Sequence, residues 1–489
     1  MHPWTFSRLS RWLPWMVGSA VLLYLVTPSL TKSKAPGEKE KTKPAVHKEE
    51  AAPYPTSYDQ ISPILLGQDT FADVMARDKA NKDMVMARQK SLLEERYDLS
   101  ARVDKRVTMS RGKPIPVGPT AKLPSGMTWD KLAAMDPEEI RDQDLFPKGY
   151  LPLPHPKHEA GGMVFPQMEI KLLSRLQRFD VDFDLPEPFL PEFPPAIFLT
   201  TRPDLGDVSK GQMLTVDNFH EIFDGILNSK DLEGVRLLVT QFPQQQFNPG
   251  LDRKTDKPNL GVACLDCHVN GHTSAATHLV GDIRPQDHRR RIDTPSLRGL
   301  NIQRLFGSQR ALKTVEDFTE FEQRAAYFDG DQVSASIKGI NPLERGSQVH
   351  FMAEFQELLD FPPAPGLGID GKLDPKKFGE HSPEMLGQKL FFGKAQCSTC
   401  HPAPFYTDNL MHDLKVERFY QPRMINGLRA TAQGPIKTFP LRGIKESPPY
   451  FHDGRLLTLE DTVEFFNLIL ETRLTGEEKS QLVAFLRQL

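Results

Sequence analysis

Cys264-Leu265-Asp266-Cys267-His268 and Cys397-Ser398-Thr399-Cys400-His401 together use all four cysteines of this 489-residue chain. Each has the CxxCH spacing at which two thiols add to haem vinyl groups and the following His ligates the iron. Zinc is the main competing reading, since paired CxxC motifs also build tetrahedral sites. Zinc ribbons separate their pairs by roughly 15–20 residues, and these two pairs lie far further apart. Disulfides would account for the cysteines and leave the His after each pair unexplained. The pattern predicts two covalent c-type haems.

Covalent haem implies export, because bacteria attach it on the outer side of the inner membrane. The N-terminus agrees. Arg8 and Arg11 precede a mostly apolar run from Trp12 to Leu30, about the length that crosses a bilayer. Basic residues ahead of such a run hold the N-terminus in the cytoplasm. Thr27-Pro28-Ser29 is a poor cleavage site, so residues 1–30 read as a signal anchor with the rest of the chain periplasmic. A cleaved signal peptide is the alternative.

A net charge of −3 gives no reason to invoke nucleic acid. Residues 31–53 are rich in Lys, Glu and Pro, cannot bury a core and read as a flexible linker. Residues 54–211 form an extension to which the sequence assigns no chemistry. Within it, Thr70 to Arg96 lacks Gly and Pro and predicts a helix, and Asp136-Pro137-Glu138-Glu139 signals a second helix start. Between Pro147 and Pro203 dense prolines predict an extended strap. His155 and His158 within it read as ordinary surface residues.

From residue 212 onward the chain is duplicated. The first CxxCH is followed by Asp293-Thr294-Pro295-Ser296-Leu297-Arg298-Gly299, then Arg310 and Thr314-Val315-Glu316-Asp317. The second is followed by Thr438-Phe439-Pro440-Leu441-Arg442-Gly443, then Arg455 and Thr458-Leu459-Glu460-Asp461. Two tandem haem units, at 212–370 and 371–489, account for this repeat. The Thr/Glu/Asp clusters read as caps of the apolar helices that follow. The expected fold is mainly α: two cytochrome c-like haem domains behind an N-terminal anchor and a Pro-rich extension.

The CxxCH motifs, the duplicated Leu-Arg-Gly and the run Pro448-Pro449-Tyr450-Phe451-His452-Asp453-Gly454-Arg455 resemble the bacterial di-haem cytochrome c peroxidase family, which includes the MauG enzymes. The resemblance covers roughly residues 212–489. It implies a peroxidatic haem on His268, a relay haem on His401, hydrogen peroxide as oxidant and a small redox protein as electron donor. It also implies a calcium ion, whose family positions map onto Asp293, Ser447 and the Pro449 carbonyl.

Peroxide cleavage needs an open iron position and a group that moves a proton. The resemblance places a distal His near His288, with His278 second; His272 lies too close to His268 to reach the other haem face easily. It places a distal carboxylate at Glu320 or Glu322, although a helix with acids on its solvent face explains that run equally well. Arg298 and Arg442 are candidates to hold haem propionates, with loop closure the alternative.

Two positions depart from the family. Its inter-haem Trp is replaced by the stretch containing Phe306. Its sixth ligand to the C-terminal haem, fourteen residues past the HDG histidine, is Phe466, which has no donor atom. The iron on His401 is then expected to be five-coordinate, water-bound or bound by another side chain such as His412 or His452, with Met411 and Met424 as the alternatives. The leading reading is a peroxidase-like oxidoreductase. MauG-like or oxygenase-like oxidation of a protein or organic substrate, and a membrane-tethered electron carrier, are the other two.

Overall fold

The computed structural model describes residues 71–100, 102–154, 163–177, 183–241, 262–278, 291–307, 310–325, 342–422, 424–425, 428–429 and 432–489. Its longest helix, α1 (Phe71–Arg96), opens that range where the absence of Gly and Pro predicts it. Val85, Gln89 and Leu93 are buried at a spacing of four, with Tyr97 following. One helical stripe therefore faces the interior. Among the described residues no helix is long and apolar enough to cross a membrane. The run from Trp12 to Leu30 and the linker to residue 53 lie outside those residues, as do His155, His158 and His288.

Helices dominate and strands are short. An antiparallel pair, β1 (Val103–Thr108) and β2 (Pro114–Pro116), follows α1. The helix signalled at Asp136 is α2 (Pro137–Asp142), with the full capping box and Pro at its first turn. The described part of the Pro-rich stretch is extended backbone broken by 3-10 turns and, against the expectation of a strap without helices, by one short α-helix over Gln167–Leu172. It is not loose: Leu153, Phe183, Leu185, Phe189, Leu190, Ile197 and Leu199 are all buried. Burying each such side chain is worth about 2 kcal/mol, so the strap is part of the core.

Two helix crossings organise the haem-motif regions. Ahead of the first CxxCH, α3 (Ser229–Val239) packs on α6 (Pro342–Leu358). Ahead of the second, α7 (Pro383–Phe391) packs on the last helix, α9 (Gly476–Leu486). Each crossing passes through a glycine. A Cβ on Gly234 would sit 2.0 Å from the Phe351 carbonyl oxygen, and one on Gly387 would sit 1.9 Å from that of Gln481. Three more helices carry or follow the motifs: α4 (Cys264–Cys267), α5 (Val315–Ala325) and α8 (Leu459–Ile469).

The duplication read from sequence is a duplication of local structure. Gly299 and Gly443 both adopt left-handed backbone, φ 74° and 72°, and both start a 3-10 turn. Glycine is needed because a side chain there is strained. In each copy a single β-bridge follows, Phe306 to Leu312 and Tyr450 to Leu456. Then Thr314 and Thr458 cap α5 and α8, accepting from the N–H of Asp317 and Asp461 at 3.1 and 3.0 Å.

Capping does not exhaust the role of the second cluster. The Asp461 carboxylate accepts from the N–H and hydroxyl of Thr120 and from the N–H of Ala121. Asp453 accepts from the Leu153 N–H at 2.8 Å, and Arg455 donates to the Tyr150 carbonyl at 3.1 Å. Leu132, Ile140, Phe146 and Tyr150 join Phe391, Phe465 and Phe485 in one apolar cluster. A second cluster runs from Ile197 to Leu359. The residues before 212 thus complete both cores, which periodicity and composition did not show.

Candidate functional site

The first motif lies on α4 and the second on a 3-10 turn, Cys397–Thr399. None of the four cysteines is in a disulfide. The two histidines share one arrangement. His268 Nδ1 is 2.9 Å from the Pro295 carbonyl oxygen, and His401 Nδ1 is 2.8 Å from that of Tyr406. A carbonyl only accepts, so each Nδ1 carries the proton and each Nε2 keeps its lone pair. That is how a metal-ligating imidazole is held. Burial pushes the His268 pKa down to about 4 and lowers that of His401, so both rings stay neutral at ordinary pH.

One largely apolar cavity reaches both motifs. Cys267 and His268 line one part of it, and Cys397, Cys400 and His401 another. Zinc finds no support: among the described residues no three His, Cys, Asp or Glu side chains converge into a metal cage.

The first motif is braced by the strap. Arg175 grips Asp266, inside the CxxCH, with two 2.7 Å bonds, and Asp266 also accepts from the Ala263 N–H. This clamp joins positions 91 residues apart, and nothing in local sequence announces it. Asp184 pairs with the buried Arg291 in the same way, just before β5 (Ile292–Asp293).

The candidate distal residues separate. His272 is buried, its Nδ1 2.8 Å from the Ser296 hydroxyl and its Nε2 2.9 Å from the Glu446 carbonyl. Both nitrogens are occupied, so it is a structural bridge. The backbone of His278 belongs to a three-stranded sheet, β3 (Met163–Val164), β4 (Thr277–His278) and β5. Both acids stand on α5, half-buried. Glu322 lines the cavity together with Phe318 and Phe321, whereas Glu320 does not. Glu322 also acts electrostatically on Cys264 and Cys267, placing it beside the first motif.

The two candidate propionate arginines part company as well. Arg298 is buried, with one amine on Glu446 at 2.7 Å and the other on the Ala196 carbonyl at 2.7 Å. Its fork is committed within the protein. Arg442 commits only Nε, to the terminal Leu489 carbonyl at 3.0 Å, and lies over the Phe361 ring. Both arginines line the cavity, and among the described residues no hydrogen bond is made by the two amines of Arg442.

Asp293, Ser447 and Pro449 all line the cavity. Asp293 is held well above the usual carboxylate range by burial, with Asp453 adding to the effect, and its Oδ1 has no hydrogen-bond partner. Phe306 also lines the cavity, and the Nζ of Lys437 stands 5.2 Å above its ring. Phe466 lines it too, as do His412, bonded to Asp408 at 2.7 Å, and His452. Met411 is absent from the lining. The Met424 side chain lies outside the described residues. Sequence reasoning passed over Lys437, although the repeat marks it: it stands five residues before Arg442, as Asp293 does before Arg298.

No family model matches the chain. The chain is 32% identical over 145 residues to the cytochrome c551 peroxidase of Nitrosomonas europaea, across 28% of this chain and 42% of that protein. It is 30% identical over 121 residues to the methylamine utilization protein MauG of Methylorubrum extorquens, across 21% of this chain and 33% of that protein. Over these stretches the chain is similar to bacterial cytochrome c peroxidases and to MauG. The match spans about two fifths or less of the length of these curated relatives. A solved MauG-like protein associated with microbial copper homeostasis aligns over 54% of this chain and 88% of its own, at 19% identity and TM-score 0.37.

The relationship implies c-type haem as the cofactor, and the residues fit it. Each CxxCH offers two cysteines outside any disulfide and an imidazole whose Nδ1 is tied to a carbonyl, at the edge of an apolar cavity.

Proposed function

We propose that this chain is a periplasmic di-haem oxidoreductase of the cytochrome c peroxidase type, reducing hydrogen peroxide with electrons from a small redox protein. The observation that carries it is the matched pair of histidines, each with Nδ1 tied to a carbonyl beside a CxxCH on a shared cavity. Bound haem would supply the redox chemistry: a peroxide site on His268 and an electron relay on His401.

The protein's own residues do the rest. Carbonyls of Pro295 and Tyr406 orient the two ligands. The Arg175–Asp266 clamp holds the first motif in register. Glu322, on the cavity wall beside that motif, takes the proton from the incoming peroxide and returns it to the departing oxygen. Arg442 meets a propionate with its free amines. Calcium on Asp293, Ser447 and the Pro449 carbonyl would satisfy the orphaned Asp293 oxygen. The units at 212–370 and 371–489 would carry one haem each, with residues 1–30 tethering the protein to the inner membrane.

A second reading, MauG-like oxidation of a protein or organic substrate, is favoured by Phe466 standing on the cavity wall where a methionine would make a simple relay. One experiment separates these: peroxide titration of the fully haem-loaded protein with and without reduced cytochrome c. Rapid turnover of the cytochrome supports the peroxidase. A stable oxidised state that does not consume it supports the second reading. Reversible reduction with no response to peroxide leaves only an electron carrier.

A further inference from the structure

Lys437 is an unusual lysine. It is 3% exposed, on the short strand β7 (Ile436–Lys437), which pairs with β6 (Met411–His412). Its Nζ stands 5.2 and 5.3 Å from the ring centres of Phe306 and Phe439, and among the described residues its one hydrogen bond is to the Gln303 side-chain oxygen at 3.0 Å. No carboxylate among the described residues pairs with it, and the charge acting on it is another cation, Arg310. Burial pushes its pKa down to about 8. A buried ammonium left with one neutral acceptor is costly. The cost is removed if the cavity it lines takes in an anion.

The duplication sharpens this. Asp293 and Lys437 hold the same place in the two copies: each ends a two-residue strand, five positions before the Leu-Arg-Gly arginine, and each lines the cavity. One copy therefore presents an acid with one oxygen lacking a hydrogen-bond partner, and the other an ammonium that no carboxylate among the described residues pairs with. Meanwhile Arg298, whose guanidinium would suit a carboxylate, is taken by Glu446.

We propose that Lys437 is the positioning cation for a haem propionate at the seam between the two haem units, in place of the committed Arg298. This rests on the two-haem reading. Its Gln303 bond already crosses from the second copy to the first, so the ammonium stands where a carboxylate from the cavity can reach it. A propionate there would restore full charge to the lysine. The pair would also favour the reduced iron, because reduction adds negative charge near a fixed cation.

The test begins by counting haems on the purified wild-type protein by intact mass. A crystal structure of that species should show Nζ within hydrogen-bond distance of a haem carboxylate oxygen. Spectroelectrochemistry of Lys437→Met should then show one midpoint potential lowered and the other unmoved. Resonance Raman should show that haem's propionate bending mode shifted, and Lys437→Arg should restore both. Two haems with Nζ still on Gln303 and no carboxylate in reach would overturn the proposal, as would unchanged midpoints in Lys437→Met. The wild-type structure decides even where the Met variant does not fold. Fewer than two haems on the wild type would sink the two-haem reading first and this proposal with it.

Discussion

The carboxylate of Asp461 accepts the backbone N–H of Thr120 at 2.7 Å and its hydroxyl at 2.6 Å, across 341 positions of sequence. A residue that caps a helix in the second haem unit is thus also the buried anchor of the segment before the first. Asp461→Ala strands the Thr120 and Ala121 N–H groups in the interior. Losing several hydrogen bonds to one buried charged acceptor costs about 3 kcal/mol. Urea unfolding should show that loss, and limited proteolysis should open the chain near residue 120 before the haem motifs. A stability within 0.5 kcal/mol of wild type, a threshold of the order expected for surface substitutions, would contradict this.

The glycine crossings make a sharper test. Gly234→Ala and Gly387→Ala each drive a methyl into a backbone oxygen on the facing helix. Neither helix can yield without moving its motif. We expect each to cost about 3 kcal/mol. Tryptic peptides should show haem lost from Cys264 and Cys267 in the first variant, and from Cys397 and Cys400 in the second.

Acid should find a specific weakness at Asp453. Burial alone would raise its pKa, but Arg455, His452 and the Leu153 N–H outweigh it and bring it from 3.8 to about 2. A depressed folded-state pKa stabilises the fold above the unfolded value and is lost as pH falls through the folded one. The contribution, about 2 kcal/mol, should vanish between about pH 4 and pH 2. Unfolding free energies across that window should fall steeply in wild type and less steeply in Asp453→Asn.

The two acids of α5 should not be equivalent. Glu322 reaches the cavity and Glu320 does not. Glu322→Gln should lower peroxide turnover by about a hundredfold, the usual worth of a positioned proton carrier, while Glu320→Gln stays within about threefold. Steady-state oxidation of reduced cytochrome c measures both. Equal losses would remove Glu322 from the mechanism.

The haem on His401 should lack a methionine ligand. Phe466 occupies the family position, and Met411 is not on the cavity wall, whereas His412 and His452 are. Optical and resonance Raman spectra should show no sulfur-to-iron signature, and Phe466→Ala should leave that unchanged. A sulfur signal that disappears in Met411→Ala or Met424→Ala would reverse the assignment.

The haem motifs, the repeat and the family resemblance were legible in the sequence because their constraints are local. Thioether attachment and iron ligation require Cys, Cys and His at fixed spacing, and a left-handed turn after the arginine requires Gly299 and Gly443. Helix α1 and the cap at Asp136 were legible for the same reason. What the extension does was not. Arg175 reaches Asp266, Leu153 reaches Asp453 and Thr120 reaches Asp461 only after folding, and no periodicity encodes a partner 91, 300 or 341 residues away. The choices between Glu320 and Glu322, and between Arg298 and Arg442, belong to the same class. Each pair is alike in residue type, and only packing puts Glu322 rather than Glu320 on the cavity wall and spends the Arg298 fork on Glu446 and the Ala196 carbonyl.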